Sequence, residues 1–292
     1  MEMFDVQELD RVARRDHEIL DALRSRDLTR AEHAMLDAPQ AQCSVIHHFG
    51  PGLCVREVFL PAGAFVVGHR HKTAHLNVFL KGRLRMVRDD GSTEELVAPM
   101  MFVGQPGRKC CYVIEDVVWQ NIFATEETDI QKIEAQFLDK SEGFAAHQER
   151  ELLARAGEHA DDRADYAAAL LQTGFDEATA RAISESTADQ CPFPHGAWRV
   201  KTGPSPIEGT GLFATTPIAS GELIAPARIG GLRTPAGRFT NHSRAPNAEM
   251  VSRANGDIDL VALCDIGGCR GGQDGDEITI DYRQALALSG IC

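Results

Sequence analysis

A chain of 292 residues that is 43% hydrophobic and 25% charged has the make-up of a folded globular protein, and its length predicts two domains. A formal net charge of −13 argues against a generic nucleic-acid binder, since phosphate contacts come mainly from Lys and Arg patches; the acidity suits a basic partner, or solubility alone. The acidic start MEMFDVQELD has no basic or apolar part of a secretory signal, no stretch approaches a membrane span, and eight cysteines lie scattered without CxxC spacing, so a cytoplasmic protein with reduced thiols and no membrane partner is expected.

Residues 1–40 read as helices. Val6, Leu9, Val12, Ile19, Leu20 and Leu23 recur at helical spacing, Thr29 with Glu32 forms a capping box for a second short helix, and Pro39 ends the pattern. Residues 41–134 change to short β-rich runs, CVREVFL, AFVVGH, HLNVFL, RLRMV, MMFVG and VVWQNIFA, separated by Gly, Pro and Asp, which predicts a barrel or sandwich. Residues 135–195 are Ala- and Glu-rich and predict a helical connector, in which DYAAALLQTGF ends near Gly174 and Asp176 caps EATARAISES. Residues 196–292 return to glycine-rich β-type runs. The fold class is therefore mainly β with helical segments (α+β).

In the second block, GAFVVGHRHKTAHLNVFLKG begins at Gly63 and sets His69 and His71 two apart on a predicted strand, on one face, with His75 following and Gly82 closing the segment at a turn. Three convergent imidazoles suit Zn, Fe, Cu or Ni and leave positions open for water or substrate. The run resembles the first cupin motif, a glycine, an HxH pair, usually a glutamate and then another glycine, with His75 at the glutamate place. A second cupin motif places a histidine shortly after a PG turn. In QPGRKCCYVIEDVVWQN that place holds Lys109, Cys110 and Cys111. A thiolate from Cys110 in that role favours Zn or Fe, while two cysteines on a strand read equally well as small core residues. The resemblance implies a cupin-like double-sheet β-barrel, a metal at His69, His71, His75 and Cys110, and a homodimer formed through the barrel. A barrel that only binds a ligand or joins two copies is the alternative.

In the last block, SPIEGTGLFATTPIASGELIAP puts Gly209 and Gly211 in a tight turn where backbone can approach a ligand. RFTNHSRAPNAEM then clusters Asn241, His242, Ser243 and Asn247, DIDLVALCDI reads as a strand, and GDEITIDY is a short strand ending in Asp281 and Tyr282. Together, from Trp198 to Arg283, these runs resemble the SET family of protein lysine methyltransferases. The resemblance implies a small SET-type β-fold, S-adenosylmethionine held by Gly209, Gly211, Leu212, Phe213, Asn241 and His242, and Tyr282 as the catalytic tyrosine. The partner it implies is a protein with an accessible lysine. Methyl transfer is an in-line displacement, so residues that align reactants and exclude water suffice.

Departures from the family are also legible. Only ARIGGLRTPAG separates GELIAP from RFTNHS where a longer insert usually shapes the substrate groove, Arg244 stands where many members carry cysteine, and Cys292 alone builds no zinc site. With three tyrosines in the chain, aromatic walls depend on Phe213, Phe239 or the connector, where Tyr166 is the candidate. The joining of the two domains suggests a bacterial or bacteriophage source by resemblance. The competing reading makes the first domain a metal-dependent oxidoreductase or isomerase, or a ligand binder, beside a non-catalytic SET-like domain.

Overall fold

The computed structural model describes residues 14–15, 17–23, 25, 27–87, 92–157 and 159–288. Of the expected first helix, Val6, Leu9 and Val12 lie outside the described residues, while 17–23 are helical. Helix α1 (Leu28–Leu36) is capped two residues earlier than the expected capping box, because the Asp27 carboxylate accepts the Arg30 N–H at 2.9 Å. Thr29 is therefore inside the helix. Glu32 is buried and held by Arg108 and by Ser141 Oγ at 2.5 Å.

The β-rich runs form β1 (Val45–Gly50), β2 (Leu53–Leu60), β3 (Phe65–Val67), β4 (Arg70–His71), β5 (His75–Val87), β6 (Thr93–Val97), β7 (Met100–Gly104) and β8 (Cys110–Ala124). HLNVFL and RLRMV are thus one 13-residue strand. Gly82 closes no turn: it lies inside β5 at φ +91°, where the pairing of β5 with β8 shifts register, and a Cβ there would collide with the Asp116 carbonyl. A bulge and a turn make the same demand on a glycine, so the sequence signal was real and its setting different.

Beyond β8 come α2 (Ile130–Phe137), β9 (Leu138–Asp139), α3 (Glu142–Ala156), α4 (Ala160–Thr173), α5 (Glu177–Glu185) and β10 (Gly196–Trp198). Gly174 ends α4 at φ +77°, and Asp176 caps α5 by accepting the Thr179 N–H at 2.7 Å. Strand β10 pairs with β1, so it completes the first sheet rather than opening the last block. That sheet has eight strands in the order β10-β1-β2-β8-β5-β6, with β3 also on β8 and β7 also on β5. It is one continuous sheet with β10 and β6 as ends. No closed barrel is present among the described residues, because the long strands β5 and β8 each carry several partners in place of two separate sheets. Phe79, Leu84, Val113 and Val117 form its dry centre, and Ile130 and Ile133 of α2 cover Phe49, Cys54 and Phe123.

The last block contains β11 (Val200–Pro204), β12 (Thr210–Ala214), β13 (Leu223–Ile229), β14 (Leu232–Arg233), α6 (Pro235–Arg238), β15 (Asn241–His242), β16 (Ala248–Ser252), β17 (Ile258–Ala262), β18 (Glu277–Ile280) and α7 (Tyr282–Leu288). Two four-stranded sheets, β11-β12-β18-β15 and β14-β13-β17-β16, enclose a core that includes Leu212, Ile218, Leu260 and Ile278. The two halves of the molecule are bonded through backbone: Val45 N–H donates to Thr215 O at 2.9 Å, and Thr215 Oγ1 returns a bond to Val45 O at 2.6 Å. No described helix is long and apolar enough to cross a membrane.

Gly82→Ala meets both a left-handed φ and a backbone collision, whereas Gly63→Ala, at φ +83° with open space around it, meets only the first. Urea unfolding should show a loss of about 1–2 kcal/mol for Gly63→Ala and clearly more for Gly82→Ala. Equal losses would contradict the placement of Gly82 at a bulge.

Candidate functional site

Strand β18 gathers the three motifs of the last block. It runs antiparallel to β12 on one side, with Leu212 opposite Ile278, and parallel to β15 on the other, with Asn241 opposite Thr279 and His242 opposite Ile280. Asn247 extends this edge: its Oδ1 accepts the Thr279 N–H and its Nδ2 donates to Glu277 O, both at 2.8 Å.

Asn241 Nδ2 donates to Glu277 Oε1 at 2.8 Å, and it also lies 3.1 Å from Glu208 O and 3.4 Å from Thr210 O, the carbonyls that flank Gly209. The asparagine therefore ties the glycine turn to β18. Gly209 is left-handed, φ +56°, with nothing within 4 Å of where a Cβ would stand, so its outer side is open. Gly211 has a different reason to be glycine, since a Cβ there would collide with the Glu277 carboxylate. Burial raises the Glu277 pKa, against the hydrogen bonds from Asn241 and Ser205. Leu212 and Phe213 offer no side chain to a ligand. They are 0% and 2% exposed, in the middle of a ladder with β11 and β18, so their side chains pack in the core.

His242 is 3% exposed and bonded on both sides. Its Nδ1 accepts the Tyr282 N–H at 3.2 Å, which puts the ring proton on Nε2, 3.0 Å from Asp165 Oδ2. Arg283 grips the same carboxylate with two nitrogens at 2.9 and 3.1 Å. Those Arg283 bonds, then the His242 bond, hold the Asp165 carboxyl down to about 2. One turn earlier on α4, Asp162 accepts from Ser243 Oγ at 2.8 Å and from the Arg244 N–H at 3.1 Å. The connector is thus bonded along the NHS turn. The side chain of His242 is held on both ring nitrogens by groups of the chain itself.

Tyr282 is half-buried, and its hydroxyl donates to Thr240 O at 3.3 Å. Burial, with Tyr166 and Glu277 nearby, lifts its phenol above the ordinary 10. The Tyr166 ring stands edge-on to it with centroids 5.9 Å apart. Phe213 and Phe239 do not share this role: Phe213 is buried under Gly203, and Phe239 lies beneath the Arg238 guanidinium. Beside Tyr282 and Thr240 a cavity of about 190 Å³ opens, walled by Leu170, Phe175 and Ile183 of the connector and by Met250 and Ile258. The acidic residues Asp162 and Asp165, like Glu277, carried no sequence signal beyond helix polarity and a strand acid.

The first domain holds a larger cavity, about 570 Å³. Across its sheet, His47, Arg56, Asn121 and Asn77 stand opposite one another on β1, β2, β8 and β5 and so share one face. This polar row is flanked by Val45, Val58, Trp119 and Phe79 on one side and by Phe49, Cys54 and Phe123 on the other. Asn77 Oδ1 accepts from Asn121 at 2.7 Å and from Trp119 Nε1 at 2.9 Å.

The expected metal ligands do not converge. His71 stacks on His75 with centroids 4.1 Å apart, His69 turns its ring against Phe144, and His75 Nδ1 is engaged with Thr73 O at 3.2 Å. Cys110 faces away from the cavity and Cys111 lines it, as strand alternation requires, and burial pushes the Cys110 thiol up to about 12. Among the described residues no three His, Cys, Asp or Glu side chains come together to hold a metal. Lys109 explains why. A Cβ on Gly104 would lie 2.5 Å from Asn77 Nδ2, 2.7 Å from Lys109 Nζ and 3.2 Å from His75 Cε1, so an ammonium group occupies the histidine corner. Among the described residues His69, His71, His75 and Cys110 do not form the ligand set that the sequence suggests.

No family model matches the chain, and no curated protein does. Solved structures are similar over part of it. A cupin superfamily protein from Desulfitobacterium hafniense is 10% identical over 32% of this chain and 85% of its own, with a TM-score of 0.25. A cupin domain from Bordetella pertussis is 17% identical over 30% of this chain and 97% of its own, with a TM-score of 0.26. An HTH_3 family transcriptional regulator from Vibrio cholerae is 20% identical over 31% of this chain, with a TM-score of 0.25, and the chain spans only 58% of that protein's length. Scores this low assign neither a family nor an activity.

Burial first, and neighbouring positive groups next, lower His47 to about 3 and His69 to about 4; burial and then His75 lower His71 to about 3. Their neutral forms are favoured in the fold, so stability is complete above the ordinary value of 6.5 and is lost as pH falls toward 3. For His47 the slope is up to ~1.4 kcal/mol per pH unit, and less for the more open His69 and His71. The stability that Asp165 contributes is complete above about pH 4 and is lost only as pH falls toward about 2, so it adds no slope between pH 7.5 and 5. Urea midpoints followed by tryptophan fluorescence should fall between pH 7.5 and 5, and His47→Leu should flatten the fall. A midpoint flat across that window would contradict the buried neutral imidazoles.

Proposed function

We propose that this chain is an S-adenosylmethionine-dependent methyltransferase whose acceptor is an amine, a protein lysine in the first instance. The observation that carries this reading is the convergence of the Gly209 turn, Asn241 and Tyr282 on β18, three segments far apart in sequence that share one small region of the fold. The residues fit such a donor: an open left-handed glycine lets backbone approach a ligand, and Asn241 fixes the carbonyls on either side of it.

When bound, S-adenosylmethionine supplies a methyl group on a sulfonium; the amine nitrogen forms the new bond and sulfur keeps the electron pair of the broken one. The chain's own residues have to align and dry the amine. A free lysine amine has a pKa near ~10.4 and must shed its proton to solvent before attack, which an apolar channel favours. The cavity beside Tyr282 has apolar walls, and at about 190 Å³ it is smaller than the ~300–1,000 Å³ usual for cofactor sites, a size for a single side chain. Tyr282 donates its hydroxyl proton to Thr240 O, leaving the phenol oxygen free to accept from the amine. Connector residues Leu170, Phe175 and Ile183 supply the wall that the short insert omits.

A homodimer through the first domain belongs to the same proposal. Its support is the exposure of Val97, Met101 and Val103 on β6 and β7, at 55%, 63% and 59%.

Calorimetry with S-adenosylmethionine and transfer of tritiated methyl to lysate proteins test the reading. Asn241→Ala should weaken binding at least tenfold, about 1.4 kcal/mol. Tyr282→Phe should bind normally and lose labelling. Absence of binding by the wild type, or equal labelling by Tyr282→Phe, would overturn it.

A further inference from the structure

We propose that the large cavity of the first domain is a metal-free binding site for a small organic carboxylate with an apolar body. Its volume, about 570 Å³, falls within the usual range of small-molecule sites of ~300–1,000 Å³. Four buried nitrogens on its wall have no hydrogen-bond partner among the described residues: His47 Nδ1, Arg56 Nε, His69 Nδ1 and His71 Nδ1. His47 is only 3% exposed, so solvent does not satisfy it. Buried polar groups are normally paired, and four orphans around one space point to a ligand that pairs them.

The charges around the space give the sign of that ligand. Each carboxylate near it already has a cation: Glu134 has Lys140 at 2.8 Å, Glu32 has Arg108, and Asp274 has Lys201. Arg56 and Lys109 have no such partner. Among the described residues neither makes a salt bridge, and Lys109 Nζ rests 6.0 Å over the Trp119 ring. Two cations without a salt bridge among the described residues, beside unpartnered imidazoles, favour an anion over a metal ion. Arg56 offers a planar fork that matches a carboxylate, with Lys109 as a point charge. Val58, Leu60, Trp119 and Phe123 supply the apolar remainder of the wall.

The second domain also closes this cavity. Lys201, Cys269, Gly272 and Asp274 lie on its wall, so an occupant touches both domains. The site does not depend on the methyltransferase reading, since Tyr282 and Asn241 are absent from the wall.

The test is calorimetry and thermal shift on the full chain with hexanoate, phenylacetate and adipate, against hexanamide, phenylacetamide, inorganic phosphate and zinc chloride. One-to-one binding of at least one carboxylate is expected, at least tenfold weaker for the matching amide and for Arg56→Met and Lys109→Met. Without ligand, Lys109→Met should melt at or above the wild-type temperature, because it removes an uncompensated half-buried charge. Arg56→Lys, which keeps the charge and loses the fork, should bind with intermediate affinity. Failure of every carboxylate, equal binding of the amides, unchanged affinity in both Met variants, or preference for phosphate or zinc would overturn the proposal.

Discussion

The imidazole of His242 is the contact on which the C-terminal half depends. It is buried, it accepts the backbone N–H that begins the Tyr282 helix, and it faces the Asp165 carboxylate of the connector. Three segments distant in sequence meet on its two nitrogens. Because one nitrogen must accept and the other must donate, the contact also fixes a tautomer, and with it the orientation of the ring between β15 and α4. Arg283 closes the group by pairing with Asp165 from the first turn of α7. The position of Tyr282 is therefore set by a polar line that starts in the connector, and the connector is part of the site, not a tether.

A related constraint governs the first domain. Its sheet carries a polar row between two apolar rows, so side chains that need partners are aimed into an interior space. Asn77 and Asn121 satisfy each other, whereas His47 Nδ1 and Arg56 Nε find no hydrogen-bond partner among the described residues. Retaining such groups costs stability. Their presence, with the Lys109 ammonium close to Gly104, is what the proposed carboxylate site accounts for. The backbone bonds between Val45 and Thr215 bring the second domain against this space.

Much of this was legible in the chain itself, and the failures have specific causes. Strand runs, the Asp176 cap and the Gly174 stop follow from local rules, and the structure has them where those rules put them. Gly82 was read as a turn because a bulge asks for the same backbone angle. Cys110 was read in place of Cys111 because one residue of strand parity decides which side chain faces inward. The pairing of β10 with β1 joins segments about 150 residues apart, and no local pattern records such a match. Asp162 and Asp165 looked like the solvated face of a helix, since their partners Ser243 and His242 are some eighty residues away. Lys109 stood in plain view at the expected histidine position, but only the packing of Gly104 shows that its ammonium fills that corner.

The most direct test of the account is the tautomer of His242, read from long-range nitrogen–proton correlations in the nitrogen-labelled full chain at neutral pH and assigned by comparison with His242→Gln. The account predicts a single species with a protonated Nε2 and a bare Nδ1, and exchange averaging once Asp165 is replaced by Ala. A protonated Nδ1, or averaging already present in the wild type, would contradict it.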